Sequence, residues 1–461
     1  YEITTRLVGS EMCIRDRDLG GELMKIIIVG GVAAGMSAAA KASRVDSSAE
    51  ITIYEKTDIV SWGACGLPYY VGDFYQDPKN MIARPVEKFI ESGMDIRIFH
   101  EVIGVDTNKK EITVKNLKTG EILKDSYDKL MIATGASAII PPIKNIDAKG
   151  VYLLKSFDDG LTLKEEMLKD EYQDIIIIGA GYIGVEVIEA AKHLNKRSIR
   201  VIQLTDRILT ESFDKEITDV LEDEIKSHQD VNLHLSEMVQ EILTKDGKVC
   251  GIKTDKGEYK ADLVVLAAGV RPNTQFLKDT GIQMLGNGAL VVDEYGRTSI
   301  DSIYSAGDCA TVYHTVRKEN VYIPLATTAN KLGRVVGENL GGKNVAFHGT
   351  LGSAAIKVLD MEAGRTGITE NEAKKLGINY KTVFVRDKDH TNYYPGQTDI
   401  FVKFIYNAET KVLLGAQIAG KKGAVLRVDA LAVAIYAWLR VDEIGTVSYT
   451  HLRAHETRSN L

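Results

Sequence analysis

The sequence predicts an α/β protein: two Rossmann-like dinucleotide-binding units followed by a third, mixed α+β region. Three observations carry this reading. A short apolar run, a glycine turn and a small-residue helix meet near residue 30. The same order returns near residue 179, now with a complete G-x-G-x-x-G. From about residue 346 the pattern changes to apolar strands bounded by Gly, Asn and Asp. A chain of 461 residues is too long for one ordinary core, and length alone argues for about three domains.

The two ends stand apart. Residues 7–17 and 447–457 resemble translations of the opposite strands of one transposon-type sequencing adapter. Residues 1–23 lack the apolar run of a secretory signal. Met24 is therefore the expected start, with 1–23 a non-native leader, 447–461 a non-native tail and the genuine C-terminus missing. With 57 basic and 64 acidic residues the net charge is −7, which argues against nucleic acid or an anionic membrane as partner. No apolar run reaches the roughly 18 residues of a membrane span. Once Cys13 is set aside with the leader, Cys65, Cys250 and Cys309 remain. They make no disulfide framework and fit a reducing cytoplasm. No metal site is assigned.

In chain order, 25–29 is an apolar run of the kind buried in a parallel sheet. The turn 30–35 follows, with Gly30 and Gly35 in place and Val32 where the middle glycine would be, and then an Ala-rich helix over 36–43. The next strand, 51–55, ends in Glu55, which can accept from ribose hydroxyls while the helix N-terminus binds a pyrophosphate. The second unit runs from 175 through Gly179, Gly181 and Gly184 to a helix near Tyr182 and a strand over 199–204. Here the strand-end residue is Gln203. A carboxylate would favour NADH and repel a 2′-phosphate, and Gln does neither strongly, so nucleotide preference stays open; Arg200 and Arg207 are near enough in sequence to meet a phosphate. Strands ending at Thr134-Gly135 and at Gly269 close the two units. A run ending in Gly307-Asp308 places an acid suited to a polyol chain. Two such folds imply one tightly bound and one exchanging cofactor.

Between the first unit and residue 80 lies Ser61-Trp-Gly-Ala-Cys65-Gly-Leu-Pro68-Tyr-Tyr70. Pro68 places Cys65 at a helix N-terminus, where the dipole is expected to lower its thiol pKa. Cys250, in a predicted strand, and Cys309, after Asp308, are expected to pack rather than react.

These motifs together resemble the pyridine nucleotide–disulfide oxidoreductases. Ser61-x-x-x-Cys65-Gly-Leu-Pro-Tyr-Tyr is similar to the single-cysteine, coenzyme A-disulfide reductase branch, as are the stretches 324–334 and 390–396. The resemblance implies an FAD domain over 24–148 and 273–345, an NAD(P) domain over 149–272 and a dimerisation domain over 346–446. It assigns Gly30, Gly35, Glu55, Thr134, Gly135, Gly307 and Asp308 to FAD. Gly179, Gly181, Gly184 and Gln203 go to NADH or NADPH, and Ser37, Lys41 and Arg44, on one helix face, to coenzyme A.

The third region reads as four strands (354–359, 380–385, 400–406, 412–419) with helices over 370–376 and 425–439. The resemblance implies a homodimer in which Tyr393 or Tyr394 approaches the partner's active cysteine. It also implies a chemistry: NAD(P)H reduces FAD, and FAD reduces a mixed disulfide between Cys65 and coenzyme A. Reduction of a CoA persulfide or polysulfide is a near neighbour. The alternatives are an NAD(P)H oxidase or peroxidase working through a Cys65 sulfenic acid, and a non-catalytic flavin redox sensor.

Overall fold

The computed structural model describes residues 23–447; the leader and tail read from the sequence lie outside the described residues, except for Leu23 and Val447. Two parallel five-stranded sheets organise the glycine turns. The first has the order Ile303–Ser305, Lys129–Ile132, Lys25–Val29, Glu50–Tyr54, Asp95–Arg97. The second has the order Val231–His234, Ser198–Ile202, Asp174–Ile178, Leu263–Leu266, Val151–Leu153. In each, the strand entering the glycine turn is central, and the strand that ends in Glu55 or Gln203 lies beside it. Ile26, Ile27 and Ile28, like Ile175, Ile176 and Ile177, are at most 1% exposed, as strands covered on both faces must be.

A two-stranded ribbon, Ala136–Ala138 with Val270–Pro272, marks where the chain leaves the first unit and returns to it. After the return, the helix Ala326–Leu340 packs along the helix Ala33–Val45. A Cβ at Gly333 would stand 2.6 Å from the Ala34 carbonyl oxygen, and one at Gly337 2.4 Å from that of Ala38. Only glycine permits so close an approach. The Ala-rich helix itself begins at Ala33, three residues before the sequence reading starts it, because the turn closes tightly on Gly30.

The third region is an antiparallel sheet in the order Ala354–Val358, Met361–Gly367, Leu413–Gly420, Asp399–Asn407, Tyr380–Lys388. The sequence reading expects four strands and misses Met361–Gly367, whose Glu, Arg and two glycines hide its pattern. Gly364 is needed there: a Cβ would stand 2.7 Å from Val428 on the covering helix Ala424–Tyr436. This sheet is pinned to the second unit by Lys403, which is fully buried. Its Nζ lies 2.6 Å from Glu216, 2.8 Å from Glu370 and 3.5 Å from Asp214.

Candidate functional site

The first turn is built by backbone demands. Gly30 has φ +105°, and a Cβ there would stand 2.2 Å from the Ala133 carbonyl oxygen; a Cβ on Gly35 would stand 1.9 Å from that of Gly30. Val32 occupies the N-cap with negative φ, and no side chain caps the helix. Its first N–H groups are therefore left for an anionic group. By contrast, the helices Phe157–Met167 and Glu370–Lys375 are closed by capping boxes from Ser156 and Thr369. Buried Glu55 accepts from Gly31 N at 2.7 Å through Oε2, and from Thr57 N and Oγ1, each at 2.9 Å, through Oε1. Thr134 Oγ1 donates to the Asn273 carbonyl at 2.7 Å, and Gly135 follows with φ +65° and open space around its Cα. Gly307 (φ +89°) and Asp308 follow the edge strand Ile303–Ser305 after Ala306.

Cys65 is held over this turn by its neighbours. Ser61, at φ +51°, donates its N–H to the Gly31 carbonyl at 2.9 Å and accepts from Ala83 N at 2.8 Å. Trp62 bridges to Ile82 and meets Phe157 edge-on at 5.5 Å. Cys65 then lies in the 3₁₀ turn Ala64–Gly66, and the helix Leu67–Val71 follows. That helix is clamped to the second unit. Its C-cap Gly72 carbonyl accepts from His193 Nδ1 at 2.6 Å, and Phe74 stacks on His193 at 3.9 Å.

Cys65 stands where three charged groups act on it: Glu186, Lys155 and Asp308. Although the residue reaches solvent, partial burial pushes its thiol up, Glu186 and Asp308 push the same way, and Lys155 pulls it down. The expected dipole-lowered thiol is therefore corrected. The helix beyond it has only five residues, and desolvation beside two carboxylates outweighs so short a dipole. Lys155 also pairs with Asp308 Oδ2 at 3.1 Å. Burial and Glu189 push the Glu186 carboxyl up to about 7.

The second turn repeats the first. Gly179 has φ +105°, and a Cβ there would meet the Ala267 carbonyl oxygen at 2.4 Å; one on Gly184 would meet that of Gly179 at 1.9 Å. Gly181 takes the N-cap of the helix Tyr182–His193, again without a capping side chain. Gln203 accepts from Ala180 N at 2.8 Å and donates to Thr205 Oγ1 at 2.6 Å.

Two family models cover most of the chain. The pyridine nucleotide-disulphide oxidoreductase model matches residues 24–333, and the dimerisation-domain model of the same group matches 353–461. The chain belongs to the pyridine nucleotide-disulphide oxidoreductases. Among relatives of this oxidoreductase, the NAD(P)H coenzyme A polysulfide/persulfide reductase of Pyrococcus horikoshii is 39% identical over 420 residues, 90% of this chain and 92% of that one. The coenzyme A disulfide reductase of Staphylococcus aureus is 30% identical, covering 91% and 94%. The structure of the water-forming NADH oxidase from Lactobacillus brevis matches with a TM-score of 0.90 at 31% identity, covering 95% and 98%.

Within this oxidoreductase the structure gathers Cys65, Ser61, Glu55, Gly30 and Asp308 around one end of the first sheet. It adds Lys155 and Glu186, which the sequence reading missed. Glu186 carried a legible signal, two residues after the last glycine of the second fingerprint; Lys155 carried none. Ser37 and Lys41 face the helix Ala326–Leu340, where Ser37 Oγ donates to Asn330 at 2.8 Å and Lys41 pairs with Glu338 at 2.6 Å, while Arg44 is exposed. Tyr393 and Tyr394, 86% and 67% exposed, lie on the loop between the strands Tyr380–Lys388 and Asp399–Asn407. Arg200 is taken up by His234 at 3.2 Å and by the Tyr259 ring. Cys309 is buried as expected. Cys250 is not: it lies on the exposed face of the strand Lys248–Thr254, because that three-stranded sheet buries only one side.

Proposed function

We propose that this oxidoreductase uses FAD and NAD(P)H to reduce coenzyme A disulfide, or a CoA persulfide or polysulfide, through Cys65. One observation carries the reading: among the described residues Cys65 is the one cysteine beside the first turn, near Glu186, Lys155 and Asp308, while Cys309 is sealed in the core and Cys250 lies on a different sheet. A thiol with no second cysteine beside it among the described residues suits a mixed disulfide with its substrate. The names of the Pyrococcus and Staphylococcus relatives support the same acceptor class.

The uncapped helix Ala33–Val45 and the free space around Gly135 fit the pyrophosphate of FAD, and Glu55 Oε2 keeps a lone pair for a ribose hydroxyl. Bound there, FAD would supply the electron pair taken from NAD(P)H. The rest falls to the chain. The Cys65 thiolate attacks one sulfur of CoA disulfide, forming the Cys65–CoA mixed disulfide and releasing one CoA thiolate. Two electrons then cleave that bond and return the Cys65 thiolate and a second CoA thiolate. Lys155 stabilises the thiolate, and Glu186, titrating near neutrality, holds a proton beside it. Tyr393 or Tyr394 of a second subunit would protonate the departing thiolate. Ser37, Lys41 and Arg44 would meet the coenzyme A moiety.

Likeness to the Lactobacillus oxidase favours a second reading, oxygen or peroxide reduction through a Cys65 sulfenic acid. Mass spectrometry of the untreated protein separates the two. A coenzyme A adduct on Cys65 that reductant removes is the expected result. Cys65 found only as thiol or oxygenated acid, with rapid NAD(P)H turnover on oxygen, would replace the first reading by the second.

A further inference from the structure

The Cys65 segment is encoded in the first unit but built into the second. Leu67, Tyr70 and Val71, on the short helix after Cys65, pack into the core of the second sheet with Leu163, Met167 and Ile177. The helix Phe157–Met167 meets the segment along one face, at positions 157, 160 and 164. Phe157 stands edge-on to Trp62. A Cβ on Gly160 would come within 2.4 Å of Leu67 Cδ2. Lys164, 5% exposed, reaches the far end of the segment. Its Nζ lies 2.7 Å from Asp73 Oδ1, donates to the Tyr75 carbonyl at 2.9 Å and sits 4.1 Å from the centre of the Tyr70 ring.

Asp73 breaks two local preferences. It follows the C-cap Gly72 at φ +63°, donating its N–H to the Tyr70 carbonyl at 3.1 Å, while Phe74 N donates to that of Tyr69 at 3.0 Å. Glycine usually closes a helix in that conformation, and a carboxylate there meets the negative end of the dipole. A residue so placed persists only where its surroundings hold it. Lys164 is what holds it: with Gln76, it keeps the Asp73 carboxyl below the usual carboxylate range. The same helix carries Lys155 at its other end. Asp159 accepts from Lys155 N at 3.0 Å and from Ser156 N at 2.8 Å, which ties Lys155 to the first turn of the helix. The Lys155 ammonium pairs with Asp308. One rigid helix therefore sets the distance between the anchor at Asp73 and the cation that acts on Cys65.

We propose that Lys164 is the positioning residue of Cys65: by fastening Asp73 it keeps the Cys65 turn in register with the helix Phe157–Met167, and so keeps Lys155 beside the thiol. This rests on the reading of Cys65 as the reacting group, but its test uses the free thiol, without any acceptor. The experiment is the pH–rate profile of Cys65 alkylation by iodoacetamide in the reduced full chain. It is read on the Cys65 peptide by mass spectrometry, so that Cys250 does not contribute. Lys155→Met should slow alkylation at about pH 7.5 by about fivefold, since loss of the cation raises the thiol. Lys164→Met should slow it by about threefold and move the profile in the same direction. In the Lys155→Met background, Lys164→Met should add less than about 1.5-fold, because it acts through the charge already removed. Asp73→Gly combined with Lys164→Met gives the turn its favoured glycine and leaves no unpaired charge, so it keeps the fold. Its alkylation should still be about threefold slower than wild type. An unshifted profile in Lys164→Met, equal slowing with and without Lys155, or a wild-type profile in the Asp73→Gly double variant would overturn the proposal. No Cys65 adduct in wild type at any pH would overturn the reading of Cys65 as well.

Discussion

The two glycine turns are nearly the same object, and their differences separate what the backbone requires from what a ligand requires. Gly30 and Gly179 share φ +105°, and a Cβ on Gly35 or on Gly184 would stand the same 1.9 Å from the carbonyl oxygen of its own turn's first glycine. No other residue fits at those four places. The middle position differs: Val32 in the first turn, Gly181 in the second. A Cβ on Gly181 would meet nothing within 4 Å, and its φ is −79°. Nothing in the fold demands glycine there, as Val32 demonstrates, so the room at Gly181 is room for something else. Two residues after the last glycine, the helices differ again, with Ser37 in one and Glu186 in the other. The units are also secured differently, the first by small residues between helices and the second by the buried charges around Lys403.

The sharpest test of the equivalence is Gly30→Ala against Gly179→Ala. Each should destabilise its unit by more than about 4 kcal/mol, since a Cβ would enter a backbone carbonyl at a positive φ. Thermal unfolding in which one variant matched wild type would break the comparison.

The clamp on the second unit comes next. Lys403→Met should cost about 3 kcal/mol by chemical denaturation, because it leaves Glu216, Glu370 and Asp214 facing one another. Against the upward push of burial, hydrogen bonds from Lys403 and Lys374 hold the Glu370 carboxyl down at about 2. Its share of the stability is therefore complete above the unfolded value of about 4.3 and lost as pH falls towards 2. A variant whose acid unfolding matched wild type would remove the clamp from the account.

Glu186 gives a smaller effect of opposite sign. Its folded value near 7 lies above the unfolded one, so ionisation destabilises the folded state as pH rises from about 4 to 7. Glu186→Gln should be about 1–2 kcal/mol more stable than wild type at pH 8 and equal to it near pH 4. Its Cys65 should also be alkylated about two- to fivefold faster at pH 8, because the ionised carboxylate no longer holds the thiol up. Unchanged alkylation would separate Glu186 from Cys65.

The smallest stability effect belongs to Gly181→Ala, within about 0.5 kcal/mol of wild type, while nucleotide binding falls by about tenfold. A large loss of stability would show that the middle glycine serves the fold after all.

Much of this molecule was legible in its residues. The Ile runs, the first and last glycines and the strand-end Glu55 and Gln203 act within one local unit, and local rules suffice to place them. Met361–Gly367 was missed because its burial comes from partners remote in the chain: Gly364 lies against Val428 of the helix Ala424–Tyr436, and Arg365 bonds the Ser212 carbonyl and Glu372. The Cys65 thiol was misjudged because helix position is local while desolvation is not. Lys155 meets Asp308 across 153 residues of chain, and no spacing announces that.

The sequence by itself determined the two dinucleotide turns and the sheets they belong to, since each follows from short-range sterics and periodicity. Only the tertiary structure decided that Lys155, Glu186 and Asp308 converge on Cys65, that its thiol is held up rather than down, and that a buried Lys403 joins the second unit to the third. Burial and Coulomb interactions depend on distance in space, and the chain order does not record it.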